Sequence, residues 1–485
     1  MSRPERLEGR VRRGALWFAL GYGGAQVLRF VGNVVLSRML YAEAFGLMAI
    51  VTSVLQGLEL FSDLGVHVSI VQSEREDRAF RDTAWTLQIA RGLVLAMACV
   101  GLGGPVAAFY DAPELAWLLP VAGISVALAS FASTKLAVAL RDLELRRREL
   151  ISLLSQVTGL VTMVVWAALD PSPAALVVGG IAGALVTVVL SQLALPGPVN
   201  RLAWEPDSAR ELIRVGRWVF ISTLMHFVSS QSDKLLFGAL LPMAALGVYH
   251  LGAVIARLPA EALGRFAFDV MFPVYRQVKA EGGPLAEPFD RLRRPVFVAA
   301  AWSLSGLLAG GPTAVQLVYD PRYHGAGTAI QWLAGAGWVY LVATTYSAMF
   351  LAAGEPKRIA QGDVAKALAM ALGIPAGFMV GEAFAPGAGL RGALAGMLLA
   401  DVLRYIVSVW LSVRHLGLWG RRLEVQLTLR LLAVGVPGAW LGAWMNGEGW
   451  PVVLRSAVIF VGVTACWWPL LGPYLRERWE ARSAQ

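Results

Sequence analysis

Charged side chains recur at helical spacing within an apolar stretch in the middle of the sequence. Arg257, Glu261, Arg265 and Asp269 follow one another every four residues and alternate in charge. Residues four apart lie on one face of an α-helix, so this face would carry charge along about 18 Å of its axis. Such a face either binds a polar ligand in a hydrated cavity or forms i,i+4 ion pairs that make a charged helix tolerable.

Three other apolar stretches carry polar stripes of the same kind. Their members lie three or four residues apart, as one face of a helix requires. The stripes contain Tyr22, Gln26, Arg29 and Asn33 in the first stretch, Glu59, Asp63 and His67 in the second, and Ser222, His226, Ser229 and Asp233, flanked by Lys234, in the seventh. We expect these faces, with that of Arg257, to line a hydrated cavity of mixed but partly cationic character.

Other charged residues in apolar stretches have simpler interpretations. Asp401 and Arg404 are three residues apart and are expected to pair with each other along one helix. Arg91, Lys135 and Lys366 lie nearer the ends of their stretches, where a long side chain can extend to the lipid headgroups. Among these three, Lys135 is also a candidate binding residue.

The sequence contains no pattern typical of an enzyme. It has no G-x-x-x-x-G-K-[ST] phosphate loop, no H-E-x-x-H zinc motif and no G-x-S-x-G nucleophile motif. The two cysteines, Cys99 and Cys466, both lie in apolar stretches and are expected to behave as small hydrophobic residues. We therefore predict no catalytic residues, no metal site and no organic cofactor.

The composition indicates a membrane protein with many spans. Of the 485 residues, 57% are hydrophobic and 15% are charged, with a mean hydropathy of +0.59. This excludes a cytosolic enzyme, a disordered chain and a small disulfide-bonded secreted domain. A net charge of +9 can indicate nucleic-acid binding, but no segment is both soluble and basic enough to be a nucleic-acid module.

Fourteen stretches are long and apolar enough to cross a bilayer as helices, which predicts an all-α fold. They lie near Gly14–Leu40, Ala44–Val71, Thr83–Gly103, Ala112–Leu136, Leu150–Leu169, Ala174–Leu195, Leu212–Leu241, Ala244–Met271, Val296–Val318, Ala326–Ala353, Ile359–Val380, Gly387–Leu411, Val425–Met445 and Trp450–Leu471.

The distribution of basic residues predicts the orientation of these spans. Lysine and arginine accumulate in cytoplasmic loops. With the N-terminus inside, the inner segments hold 29 of these residues and the outer loops hold three, Arg38, Arg322 and Arg391. Both termini are therefore predicted to be cytoplasmic.

An internal repeat organises the spans into two lobes. An offset of 201 residues pairs Trp17 with Trp218 and Gly46 with Gly247, and it superposes two long spans without a gap. Six helices return the chain to its starting side, so the two lobes share one orientation. We predict an N-lobe (1–195), a cytoplasmic linker (196–210), a C-lobe (211–415) around a shared central cavity, and two C-terminal helices (416–485).

Several short motifs, in a distinctive order, give the chain a recognisable resemblance. They are Ser37–Leu47, Asp63–Gly65, Ile70–Gln72, Asp82–Gln88, Arg91–Leu93, Asp233–Gly238, Leu246–Tyr249, Phe272–Pro273 and Ala353–Lys357. In these motifs the chain resembles the polysaccharide-transporter (Wzx-type oligosaccharide flippase) family of the multidrug/oligosaccharidyl-lipid/polysaccharide exporter superfamily.

This resemblance implies a protein of about fourteen helices that moves an undecaprenyl-diphosphate-linked oligosaccharide to the outer leaflet. It points to Asp233, Lys234, Arg29 and Arg257 as functional residues. Cationic walls lower the barrier for a diphosphate, and carboxylates could bind H⁺ or Na⁺ in one conformation and release it in the other. The candidate substrate-binding residues are Arg29, Lys135, His226, Asp233, Lys234, Arg257 and Arg265, and the candidate ion-coupling residues are Glu59, Asp63, Glu261 and Asp269.

Two other functions remain open from the sequence. A multidrug exporter of the same superfamily would use a similar fold, although the central arginines disfavour cationic drugs. A membrane glycosyltransferase or polymerase is the enzyme alternative, but such enzymes generally carry a large outer loop, and here the outer loops are short. The expected partners are the lipid-linked oligosaccharide, membrane lipids and the polysaccharide polymerase and chain-length machinery.

Overall fold

The computed structural model describes residues 3–62, 69–70, 77–142, 144–210, 212, 227, 231–417 and 422–483. Within these ranges the chain is helical and forms no β-strand, and residues 231–240 belong to a helix. The helices with defined bounds are α1 (Arg3–Met39), α2 (Ala42–Phe61), α3 (Arg78–Phe109), α4 (Leu115–Ala129), α5 (Lys135–Arg141), α6 (Leu145–Leu169), α7 (Ala174–Leu193), α8 (Met243–Ala280), α9 (Ala286–Val318), α10 (Ala326–Ala352), α11 (Pro356–Phe384), α12 (Gly389–Leu416), α13 (Arg422–Gly447) and α14 (Val452–Ser483).

Local sequence accounts for several of the helix ends. The carboxylate of Asp77 accepts a hydrogen bond from the backbone N–H of Phe80 and so caps the start of α3. Gly417 ends α12 in the left-handed conformation, with φ of +64°, which glycine adopts without steric cost. Gly354, with φ of +76°, makes the tight turn between α10 and α11, and Pro356 occupies the first turn of α11.

Ten of the described helices are long and apolar enough to cross a membrane: α2, α3, α6, α7, α8, α9, α11, α12, α13 and α14. The chain is therefore a multi-pass membrane protein. Thirteen of the fourteen predicted stretches overlap a described helix, but the second stretch, Ala44–Val71, extends beyond the end of α2 at Phe61. The remaining one, residues 212–241, lies mostly outside the described residues.

The fourth predicted span, residues 112–136, is not continuous, because the chain leaves the helix between α4 and α5. Side chains of α3 bind the backbone in this break. Gln88 Nε2 donates to the carbonyl oxygen of Ser130 at 2.9 Å. Trp85 Nε1 donates to that of Phe131 at 3.3 Å. Non-helical backbone is tolerated within a membrane only where other groups satisfy its hydrogen bonds, and these helices do so.

The chain divides into two compact units, residues 1–227 with 242–247 and residues 228–241 with 248–485. In the first unit the first turns of α2 and α8 meet at Gly46 and Gly247. A Cβ atom on Gly46 would overlap the carbonyl of Met243, and one on Gly247 would overlap that of Ala42. The offset of 201 residues relates both pairs, so the contact is reciprocal under the sequence repeat.

Glycine also allows close helix packing inside each unit. In the first unit α6 and α7 approach at Gly159 and Gly179, where a Cβ atom on Gly159 would lie 2.9 Å from the carbonyl oxygen of Gly179. In the second unit α11 and α12 approach at Gly377 and Gly392, whose backbones leave no room for a side chain. Small residues allow such close approach between membrane helices, where packing drives association.

An aromatic core in the second unit joins α9 to α10 and α14. Phe297 and Trp338 lie edge to face with ring centroids 5.4 Å apart. The indole N–H of Trp467 donates to Ser305 Oγ at 2.9 Å, and Trp467 is fully buried. The two C-terminal helices, α13 and α14, therefore pack on α9 as part of this unit.

Candidate functional site

A buried carboxylate, Asp233, forms the centre of a charged network in the second unit. Its side chain is 1% exposed and accepts hydrogen bonds from the Tyr249 hydroxyl, at 2.5 Å, and from the Arg257 guanidinium. Tyr249 and Arg257 are eight residues apart on α8 and so share one face of that helix. The Arg257 side chain remains 28% exposed, and part of it is therefore accessible beyond the ion pair.

Two further charges flank this pair. Lys234 donates from Nζ to Gln231 Oε1 at 3.0 Å. Glu261 is exposed and interacts electrostatically with both Lys234 and Arg257. The direct ion-pair partner of Arg257 is Asp233, from another helix, and not Glu261 one turn along α8. The i,i+4 ion pair of Arg257 with Glu261, one of the two alternatives that the sequence left open, is replaced here by a contact between helices.

Two ion pairs cross between α11 and α12. Lys366 Nζ lies 2.7 Å from Asp401 Oδ1, and Arg404 Nε lies 2.8 Å from Asp363 Oδ1. Lys366 and Arg404 both lie over the ring of Tyr340, each 5.6 Å from its centroid. The expected local pair of Asp401 with Arg404 is therefore wrong, because each residue has an oppositely charged partner on the neighbouring helix. Lys366 likewise pairs in the interior and does not extend to the headgroups.

The two sets of ion pairs belong to one network. Lys366 interacts electrostatically with Asp233, and the Tyr249 hydroxyl lies 3.9 Å from the sulfur of Met397 on α12. His250 lies near the same charges, and its buried Nδ1 atom has no hydrogen-bond partner among the described residues. In the described ranges no group of three or more His, Cys, Asp or Glu side chains could hold a metal ion.

The other predicted site residues are distributed between the two units. Arg29 is exposed on α1 and Arg265 is exposed on α8. Glu59 is exposed near the end of α2. Asp63 and His226 lie outside the described residues, as does the side chain of Asp269. Of the eleven candidates, the network in the second unit brings together Asp233, Lys234, Arg257 and Glu261.

Two cations in the first unit bind the ends of helices. Arg91 donates from Nε to Ser62 Oγ at 2.8 Å and from Nη2 to the carbonyl oxygen of Glu59, and so caps α2 instead of extending to the headgroups. Lys135 donates from Nζ to the carbonyl oxygens of Gln192, at 2.7 Å, and Leu195, at 3.2 Å, beyond the end of α7. A cation at a helix C-terminus is favoured by the helix dipole.

Comparison with known proteins identifies the family of this chain. Residues 35–326, more than half of its length, match the family model described as polysaccharide biosynthesis protein. The chain belongs to this family. It is 22% identical over 407 residues to the lipopolysaccharide biosynthesis protein WzxC of Escherichia coli K12, covering 83% of this chain and 80% of that protein. The resemblance to Wzx-type polysaccharide transporters inferred from the motifs is thereby confirmed.

Further similarities extend this result. The chain is 24% identical over 269 residues to the succinoglycan biosynthesis transport protein ExoT of Rhizobium meliloti, covering 55% of this chain and 54% of that protein. Among solved structures, the lipid II flippase MurJ in an inward closed conformation matches with a TM-score of 0.69 at 10% identity, over 94% of this chain and 99% of that chain. An inward-facing multidrug resistance MATE family transporter matches with a TM-score of 0.60 at 14% identity, over 80% of this chain and 94% of that chain. These two structures share the fold of this family member.

The sequence does not indicate six members of the network. It does not mark Tyr249, Asp363 or Tyr340 as site residues, and it predicts simpler roles for Lys366, Asp401 and Arg404. One signal was present: Asp363 with Lys366, and Asp401 with Arg404, each have a spacing of three residues and stand in adjacent predicted helices. Two such pairs on packed antiparallel helices can exchange partners, which is the arrangement found here.

Proposed function

We propose that this protein is a flippase that moves an oligosaccharide linked to undecaprenyl diphosphate from the inner to the outer leaflet. The observation that carries the proposal is the charged network of the second unit, because buried ionisable groups in membrane helices usually serve a substrate or ion pathway. The relatives, whose names refer to lipopolysaccharide biosynthesis and succinoglycan transport, support a glycan substrate. The fold shared with MurJ, a lipid II flippase, is consistent with a lipid-linked one.

The proposed role of Arg257 and Lys234 is to bind the diphosphate. The Arg257 side chain is 28% exposed. A guanidinium can bind phosphate oxygens through two parallel hydrogen bonds. Lys234 is bound only to a neutral amide in the described contacts, so its ammonium charge remains available to an anion. Asp233 then acts as the resident partner that holds Arg257 in place until the substrate arrives.

Charge balance in this network suggests how ions are coupled to transport. Asp233, Asp363 and Asp401 face Arg257, Arg404 and Lys366, one carboxylate to each cation. If a diphosphate engages Arg257, one buried carboxylate loses its counter-charge. Such a group in a low-dielectric interior takes up a cation or a proton. We propose that H⁺ or Na⁺ fills this role; Glu261 and Asp269 on α8, and Glu59 and Asp63 in the first unit, remain candidate coupling residues.

We further propose fourteen spans in two lobes, with both termini in the cytoplasm of a bacterial cell and the protein in its inner membrane. The 29 basic residues on predicted inner segments, against three on outer loops, support this orientation. The protein would then act beside the polysaccharide polymerase and chain-length machinery. Arg29, His226 and Arg265 stay on the proposed list of substrate contacts.

Two other functions fit the charges less well. A multidrug exporter for cationic compounds would favour an acidic pocket, whereas Arg257, Lys234 and Lys366 place cations in this network. A membrane glycosyltransferase would act on a sugar rather than move it, whereas the relative ExoT is named as a biosynthesis transport protein. We therefore propose a transporter and not an enzyme.

Transport in vesicles that contain only this protein tests the proposal. Liposomes carry a labelled lipid-linked oligosaccharide in the inner leaflet, and a glycosidase outside reports its arrival. We expect translocation well above that of protein-free vesicles. The variant Lys234→Met should slow transport, since it removes a cation whose described hydrogen bond is to the neutral amide of Gln231. The matched control Arg430→Gln, which removes an arginine bound to the Cys466 carbonyl, should not. Rates equal to those of empty vesicles would refute the proposal.

A further inference from the structure

A second group of cations surrounds a pocket in the first unit. The pocket lies where α3 begins, where α5 begins, and along residues 196–200, which follow α7. Its polar lining includes Arg78, Arg81, Asp82, Thr134, Lys135 and Asn200. Three of these side chains are cationic and one is anionic, so the pocket carries a net charge of about +2 at neutral pH.

The hydrogen-bond acceptors of this pocket are already engaged. Asp82 accepts from the backbone N–H of Arg201 with Oδ1, at 3.1 Å, and pairs with Arg78 Nε through Oδ2, at 3.3 Å. Asn200 Oδ1 accepts from the Ser133 hydroxyl, at 2.6 Å, and from a backbone N–H, at 3.2 Å. A ligand that must donate hydrogen bonds would therefore find few acceptors here.

The donors, in contrast, are not exhausted. Lys135 is 7% exposed and uses two of its three N–H groups on backbone carbonyls. The Thr134 hydroxyl oxygen accepts from Asn200 Nδ2 at 2.7 Å, which leaves its own O–H free to donate. Arg81 is half-buried and pairs with no carboxylate within the described ranges. A pocket of donors and positive charge is suited to a group of anionic oxygens.

We propose that this pocket binds a phosphate group, supplied by an anionic phospholipid. Its walls are formed at the start of α3 and beyond the end of α7, two helices long and apolar enough to cross the membrane, so it lies at the level where headgroups are found. The distribution of charge predicts that this end of the helices faces the cytoplasm, and basic pockets between membrane helices on that side bind anionic headgroups. Lys135, a candidate substrate contact from the sequence, serves this site instead.

The experiment titrates phosphatidylglycerol into phosphatidylcholine micelles that contain the purified full-length protein, at constant ionic strength. The readout is the midpoint of thermal unfolding. A ligand that binds only the folded state raises this midpoint. For the wild type we expect a saturable rise. For Arg81→Gln we expect the half-maximal concentration of phosphatidylglycerol to increase about tenfold, as the loss of one charge-assisted hydrogen bond implies.

The control variant is Arg210→Gln, which removes an exposed arginine paired with Asp207. It should respond to phosphatidylglycerol as the wild type does. If Arg81→Gln unfolds without lipid, Arg78→Gln replaces it. A second titration uses inorganic phosphate. If it raises the unfolding midpoint of the wild type equally, and Arg81→Gln loses this rise, the pocket is a phosphate site whose ligand is soluble. The proposal would be overturned if Arg81→Gln and Arg210→Gln both kept the wild-type rise in the unfolding midpoint. It would also be overturned if neither phosphatidylglycerol nor inorganic phosphate raised the midpoint of the wild type.

Discussion

Lys366 and Asp401 form an ion pair of 2.7 Å between α11 and α12, and both side chains are more than nine-tenths buried. The backbones of these helices already meet at Gly377 and Gly392. A buried ion pair adds little stability compared with apolar side chains of the same shape, because both ions lose their hydration. In a helix pair held by glycine contacts, this ion pair is therefore better explained by the function of the network than by the stability of the fold.

Substitution of one partner should be far more damaging than substitution of both. Lys366→Met leaves Asp401 buried without a counter-charge, and we expect it to lower the free energy of unfolding by about 3–5 kcal/mol. The double variant Lys366→Met with Asp401→Leu should recover most of that loss, but it should not recover transport. Thermal unfolding in detergent, together with the vesicle assay, measures both effects. Full transport by the double variant would exclude this pair from the coupling mechanism.

The same design identifies the partner of Arg257. Arg257→Leu leaves the buried Asp233 without its counter-charge. The double variant Arg257→Leu with Asp233→Leu should therefore fold normally. The double variant Arg257→Leu with Glu261→Leu should remain unstable, because Asp233 is still unpaired. If Arg257 also binds the diphosphate, the folded double variant does not transport. Arg257→Lys keeps partial activity because it retains the charge without the planar fork. If Glu261→Leu instead rescued the folding of Arg257→Leu, Glu261 and not Asp233 would be the main ion-pair partner of Arg257.

The sequence predicts the helices well and the ion pairs poorly, for a physical reason. Apolar length and motif order are local properties, so they indicate thirteen of the described helices and the family. The position of Arg257 in an apolar segment also shows that burying its charge costs free energy. The sequence does not show its ion-pair partner, because Asp233 lies 24 residues away on another helix, while the spacing favours Glu261. The break between α4 and α5 depends on hydrogen bonds from α3, which no local pattern encodes.

The contact between α11 and α12 should tolerate no side chain at Gly377. A Cβ atom there would overlap the carbonyl of Gly392, and both elements that meet are backbone, which cannot move aside. We expect Gly377→Val to destabilise the second unit strongly and to reduce the yield of folded protein. Gly462→Ala on α14 is the matched control, since nothing lies within 4 Å of its added methyl group. Alanine there should be neutral or stabilising by up to about 1 kcal/mol.

The last prediction concerns how α13 is held in the second unit. Glu424 is 2% exposed and accepts hydrogen bonds from Tyr346, at 2.7 Å, and from Tyr405, at 2.5 Å; it also pairs with Arg293 at 2.5 Å. Glu424→Leu leaves the fully buried Arg293 with Asp290, an exposed partner on its own helix, as its remaining carboxylate.

We expect Glu424→Leu to lower the free energy of unfolding by about 3–5 kcal/mol, as loss of one partner of a buried pair does. Tyr405→Phe removes a single hydrogen bond to a charged group and should cost about 1.5–3 kcal/mol. Denaturant unfolding in detergent measures the loss of unfolding free energy for each substitution. Equal losses would mean that the hydroxyl of Tyr405, and not the charge of Glu424, stabilises the packing of α13 in the unit.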